Sequence, residues 1–264
     1  MSRAATSRTV GDQITTLLTG FTLTTAAREL VSRFVDAEQQ AALPLLRDVL
    51  ELEAQERHER RITRLRRASK LPPGKTFATL DEARLPPTLI RRLHDLADGD
   101  FLDDATNVLA FGLPGVGKSH AMCAVGHALI DRGHAVLFMP TYNLVQDLLA
   151  AKRDLELPRA LRKLDQFAVL ILDDVGYIQQ SPEEAEILFT LLAERYERRS
   201  VFITSNLIFA HWDRIFRDQM ATAAAIDRLV HHSVLLAFDV PSFRTEHAKR
   251  RGKATSRPAA EPIA

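Results

Sequence analysis

With 264 residues, of which 46% are apolar and 26% charged, the chain has the make-up of a soluble globular protein, long enough for one ordinary domain and a smaller piece. A formal net charge of +1 excludes a uniformly basic surface, so any attraction to nucleic acid must come from local clusters. One cysteine, Cys123, excludes an internal disulfide, no apolar run is long enough to span a bilayer, and no secretory signal opens the chain. A cytoplasmic protein with no membrane partner is expected.

From about residue 24 to 68 the pattern is helical, interrupted only by Pro44, and Leu30, Phe34, Leu43, Leu46, Val49 and Leu50 fall on one face. The stretch 57–70, "RHERRITRLRRASK", carries seven Arg or Lys residues against Glu59. Arg57, Arg60, Arg61, Arg64 and Arg67 cover one broad helical face there. Such a row with few acids suits a duplex phosphate backbone, whereas a solvated helix face is the plain alternative. No aromatic residues interleave, which disfavours stacking on single-stranded bases. "LPPGKTFATLDEARLPP" follows and reads as a linker. The expected organisation is a helical N-terminal domain over 1–70, a linker over 71–90, an α/β domain over 91–244, and a basic, then Pro/Ala-rich, disordered tail over 245–264.

Beyond the linker, apolar strand candidates at 107–111, 135–139, 168–172, 201–204 and 233–238 alternate with helical patterns. That alternation predicts an α/β fold with a parallel sheet covered on both faces. In one of the helical segments, Ser181 with Glu184 three residues on is a capping-box signature.

The first strand runs into "GLPGVGKSH". Residues 112–119 satisfy G-x-x-x-x-G-K-[ST] between a strand and a helix, the pattern of a phosphate-binding loop. Gly112, Leu113, Pro114, Gly115, Val116, Gly117, Lys118, Ser119 and His120 form the candidate nucleotide cradle. Glycines let the backbone approach phosphates, the helix start faces the anion, Lys118 reaches the outer phosphates, and the Ser119 hydroxyl serves Mg2+. "FAVLILDDVGY" then ends an apolar strand in two acids. Adjacent carboxylates repel unless a cation stands by, so Asp173 is expected to hold Mg2+ and Asp174 to orient and deprotonate water. "SVFITSN" ends a further strand in small polar residues, and Asn206 at its tip is placed to polarise the water or meet the γ-phosphate; a plain turn is the alternative.

Taken together, "KTFATLDEARLP", "NVLAFGLPGVGKSH", "LILDDVGY", "RYERRSVFITSN", "HWDRIF", "AIDRLVHHS" and "PSFR" resemble the AAA+ ATPases, and among them the IstB-like helper ATPases of bacterial transposons, relatives of the DnaC helicase loaders. The resemblance covers about residues 26 to 244. It implies a AAA+ domain behind a small helical one, ATP with Mg2+, self-assembly into a homo-oligomer on double-stranded DNA, and the transposase of the same element as partner. It implies that Arg228 enters a neighbour's nucleotide site, and makes Arg244 a lesser candidate for phosphate sensing. Two departures stand out: Asp174 replaces the more usual glutamate, which suggests slow hydrolysis, and Phe243 replaces a usual tyrosine.

The expected function is an ATP-dependent regulator of transposition that grips duplex DNA and is released by hydrolysis. A DnaC-like helicase loader and a non-hydrolysing scaffold are the rivals. Adjacent His231 and His232 should diverge and so not share a metal. His120 should cap or pack, Cys123 should be a core residue, and Trp212 should anchor a short helix on the core.

Overall fold

All five strand candidates belong to one parallel sheet in the computed structural model, which describes residues 9–176, 181–212, 215 and 219–242. The strands are β1 (Asn107–Gly112), β2 (Val136–Pro140), β3 (Val169–Val175), β4 (Ser200–Ser205) and β5 (Ser233–Phe238), in the spatial order β2-β3-β4-β1-β5. The register pairs Val108 with Phe202 and Val234, and Ile171 with Phe138 and Phe202. β4 thus lies between the strand that feeds the glycine loop and the strand that ends in two acids. Every strand runs the same way, so both motifs emerge at one edge of the sheet, where α/β proteins place their ligands.

Two compact units divide the chain, Met1–Arg64 and Leu65–Ala264. In the first, α1 (Val10–Gly20), α2 (Thr24–Asp36) and the start of α3 (Leu43–Ala68) bury Ile14, Leu18 and Leu43 against Leu30, Val31, Phe34 and Leu46. Thr9 caps α1 through a reciprocal bond with Asp12. α3 passes uninterrupted through Arg64 and Leu65, and the seam between the units falls within it.

In the second unit the segment before the sheet is not bare coil. Leu71, Leu80 and Leu85 are buried, short 3-10 turns span Phe77–Thr79 and Glu82–Arg84, and Pro87 opens α4 (Pro87–Asp98), which Gly99 ends in the left-handed conformation. The sheet helices are α5 (Lys118–Asp131), α6 (Thr141–Arg153), α7 (Leu157–Leu164), α8 (Pro182–Arg195) and α9 (Gln219–His231). The Ser181–Glu184 box caps α8 in both directions: the Glu184 amide donates to Ser181 Oγ at 3.2 Å and the Ser181 amide to the Glu184 carboxylate at 2.7 Å.

Ala121 to Gly126 of α5 are all buried, so this helix sinks into the sheet and has little polar face. Cys123 sits there with no exposed surface, and burial pushes its thiol up to about 12. Trp212 is wholly buried against Phe111 and Phe209 and donates its indole N–H to the Leu207 carbonyl at 3.1 Å. Arg195, also buried, donates to the carbonyls of Leu164, Phe167 and Ser200 at 3.0–3.1 Å; burial lowers its guanidinium to about 10. It ties the loop before β3 to the start of β4 from within. Among the described residues no helix is long and apolar enough to cross a membrane.

Candidate nucleotide site

β1 enters the glycine loop under a tight constraint. A Cβ on Gly112 would lie 2.5 Å from the Phe238 carbonyl oxygen of β5. The first glycine is therefore demanded by the neighbouring strand, a role the motif alone does not reveal. Gly115 and Gly117 have φ of 81° and 98°, and Gly117, in the left-handed region, is the residue from which α5 starts. Val116 between them is wholly buried and anchors the loop.

Lys118 is only 4% exposed. Its ammonium donates to the Gly112 carbonyl at 2.7 Å, the Leu113 carbonyl at 2.9 Å and the Asn206 Oδ1 atom at 2.7 Å. A buried cation must be hydrogen-bonded, and these contacts satisfy it while leaving it at the mouth of a helix whose start favours anions. Asn206 is thus brought to the loop by β4. Ser119, the second residue of α5, is partly buried.

The two acids part company at an irregularity in β3, where the register with β4 shifts between Leu172 and Val175. Asp173 points inward, 9% exposed, and its Oδ1 accepts from the Thr204 hydroxyl at 2.6 Å. Asp174 is exposed and takes φ of 58°, a left-handed conformation that a short polar side chain tolerates. A shift of this kind re-aims one side chain of an otherwise regular strand. Thr204 also accepts from the Asp174 amide at 2.9 Å, and Thr141 donates to the Asp173 carbonyl at 2.8 Å. Thr204 and Thr141 were not singled out from sequence. Thr204 is a polar residue in an apolar strand, the one signal that marked it.

Thr204 on β4 and Asn206, just past the strand's end, thereby reach opposite ways: Asn206 to Lys118 on the loop side, Thr204 to Asp173 on the acid side. Three strand ends carry a cation, an amide and two carboxylates that are already mutually oriented. The donor set suits a phosphate chain with a hard divalent cation, for which carboxylate and hydroxyl oxygens are the preferred ligands.

His120 turns away from the loop: its Nε2 lies 3.0 Å from Thr79 Oγ1 and 3.1 Å from the Thr76 carbonyl, so it packs against the first 3-10 turn. Arg228, on α9, lies over the Phe189 ring of α8 at 4.8 Å, and its buried Nη1 has no hydrogen-bond partner among the described residues. Phe243 and Arg244 lie outside the described residues.

Along α3 the expected scarcity of acids beside the arginines needs correction. Arg57 pairs with Glu53 at 2.5 Å and Arg60 with Glu56, each one turn back, and Arg57 also stacks on Phe21 at 4.3 Å. These acids precede the basic stretch in sequence, so counting charge from residue 57 onward missed them. Arg61, Arg64 and Arg67 are exposed on the same helix. Exposed helical pairs of this kind are screened by solvent and weak, so a phosphate can displace the acid.

A five-stranded parallel sheet with a Lys-Ser phosphate loop, a two-acid strand and a polar tip on the strand between them defines a P-loop nucleotide-binding protein with a AAA+ fold. The chain belongs to the family of IstB-like ATP-binding proteins, whose model matches residues 16–251. It is 43% identical over 226 residues to an insertion sequence ATP-binding protein of Sinorhizobium fredii, covering 85% of this chain and 76% of that one. It is 38% identical to the ATP-binding protein of insertion sequence IS21 from Pseudomonas aeruginosa, covering 75% of each chain. Among solved structures, DnaI matches with a TM-score of 0.54 at 18% identity over 64% of this chain and 95% of that one. AMPPCP-bound DnaA from Aquifex aeolicus matches with 0.53 at 15% identity over 73% and 59%. At such identities these two likenesses speak for the fold.

Proposed function

We propose that this protein is the ATP-driven helper of a transposition reaction: it assembles on duplex DNA when ATP is bound, directs the transposase of its own element, and leaves the DNA on hydrolysis. The observation that carries the ATPase part is the linkage across β4, with Lys118 on Asn206 and Asp173 on Thr204. The relatives, ATP-binding proteins of insertion sequences, support the setting.

In this reading the chain's own groups divide the work. Amides of the loop and of the first turn of α5 face the phosphates, and Lys118 transfers its ammonium from the Gly112 and Leu113 carbonyls to phosphate oxygens. Asn206, released from Lys118, orients the attacking water. Asp174, exposed at the end of β3, takes the water's proton. Ser119 and Asp173 would hold Mg2+, with Thr204 fixing the carboxylate; when bound, that ion neutralises charge on the outer phosphates.

Arg228 acts in trans in this scheme. Its guanidinium, seated over the Phe189 ring with one nitrogen unsatisfied among the described residues, stabilises the transferring phosphoryl group of a neighbouring copy, so a complete site needs two subunits. The helical N-terminal segment, with Arg57, Arg60, Arg61, Arg64 and Arg67, contacts the DNA backbone and carries little sequence preference.

The deciding experiment measures assembly size by light scattering with ATP and either a random duplex or the matched single strand, with Lys118→Ala as control. Large assemblies that need both ATP and duplex, and that the variant cannot form, are the expected result. Assembly confined to single strands would transfer the protein to the helicase-loader class. Full assembly with ATP turnover below detection would make it a nucleotide-stabilised scaffold.

A further inference from the structure

The edge of the sheet opposite the phosphate loop holds a second cluster. There the turn after α8 brings Glu197 to the C-terminal end of α9, where His231 closes the helix and His232 begins the turn into β5. The expectation that the two histidines diverge fails here. Divergence holds for neighbours within one regular element, and the helix ends between these two. Their rings stand 4.3 Å apart, edge to face. Glu197, His231 and His232 each offer one ligand atom, and the three atoms lie within 4.8 Å of one another.

The backbone holding these groups is fixed. The amides of Arg198 and Arg199 both donate to the Arg195 carbonyl at 3.0 Å, and the Arg195 side chain is itself locked onto three buried carbonyls. Glu197 sits in that turn with φ of 55°, a left-handed conformation unusual for a long side chain. The His232 carbonyl accepts from the Asn107 amide at 2.8 Å, which pins it to the start of β1. The Tyr196 hydroxyl lies 3.0 Å from His231 Nδ1, a contact that a metal ion on that nitrogen would displace. Glu197 Oε1 lies 3.7 Å from the same nitrogen. Ligand atoms around tetrahedral zinc stand about 3.4 Å apart, so small side-chain rotations bring these donors into range.

We propose that Glu197, His231 and His232 form a surface site for a late first-row divalent cation, Zn2+ by the fit of two imidazoles and a carboxylate, with solvent completing the shell. The ion cross-links the α8–β4 turn to the end of α9. Arg228 lies one turn before His231 on that helix, so metal occupancy steadies the element that carries it. The proposal does not depend on the ATPase reading, since the cluster shares no residue with the nucleotide site.

The test is calorimetric titration of the metal-stripped full chain with Zn2+, repeated with Glu197→Gln and with His232→Ala. The expected result is one ion bound with a dissociation constant of about 10 μM or tighter, weakened at least about tenfold in each variant. Thermal stability should rise with Zn2+ in the parent chain and lose that response in the variants. Histidine ring NMR of the unaltered chain provides a measurement that needs no variant: the signals of His231 and His232 should move on titration. Binding weaker than about 100 μM, binding unchanged in both variants, or a shift confined to other histidines would each overturn the assignment.

Discussion

The edge of the sheet that carries the phosphate loop and the arginine row of α3 are both charged, yet they are built in opposite ways. At the loop, Lys118 is buried and bonded to three oxygens, and Asp173 is buried and bonded to Thr204. On α3, Arg57, Arg60, Arg61, Arg64 and Arg67 are exposed, and Arg57 and Arg60 pair with acids one turn back on the helix itself. Burial makes each partner at the loop consequential, because an unpaired buried group carries its whole desolvation cost. Exposure makes each arginine nearly interchangeable, so its contribution is to the sum of charge along a backbone. One region should therefore answer sharply to single substitutions, and the other only by degrees.

Four variants sharpen that contrast, in falling order of effect. Asp174→Asn keeps a residue that tolerates the left-handed backbone but removes the base. ATP turnover should fall by about 100-fold or more with nucleotide affinity retained, and a loss within about threefold would remove Asp174 from the chemistry. Gly112→Ala puts a methyl group 2.5 Å from the Phe238 carbonyl. We expect a loss of about 2–4 kcal/mol in chemical denaturation, as β1 and β5 must move apart; a change under about 0.5 kcal/mol would mean that the strands yield easily. Thr204→Val preserves the shape but leaves the Asp173 carboxylate one partner short, for an expected cost of about 1–3 kcal/mol and a turnover defect at saturating ATP. Finally, Arg64→Ala with Arg67→Ala should lower the slope of log affinity for duplex against log salt by about 2, with no preference for any sequence. An unchanged slope would place the DNA elsewhere.

The strands and the loop were legible in sequence because their determinants are local. Apolar runs of strand length, a glycine at a positive-φ helix start and a capping box at Ser181 each act within a few residues. What escaped depends on strand order. Nothing in "SVFITSN" says that β4 lies between β1 and β3, so Asn206 could be nominated but Thr204 could not. The phosphate motif likewise hid the reason for Gly112, since Phe238 is far away in the chain. The acids beside the arginine row escaped for a simpler cause: Glu53 and Glu56 fall just before the basic stretch. Glu197 and His231 met for a fourth, a helix end and a turn converging from distant parts of the chain.

Cys123 lies on α5, a single turn beyond the phosphate loop, wholly buried and with its thiol pushed up to about 12. At neutral pH it is therefore silent toward thiol reagents until the helix leaves the sheet. Being the chain's one sulfhydryl, it makes every labelling event a report of the same opening. A nucleotide that binds only the closed form slows that event by the factor 1 + [L]/Kd. Ordinary labelling kinetics would thus weigh nucleotide against the folded core with no reliance on turnover, DNA or a partner.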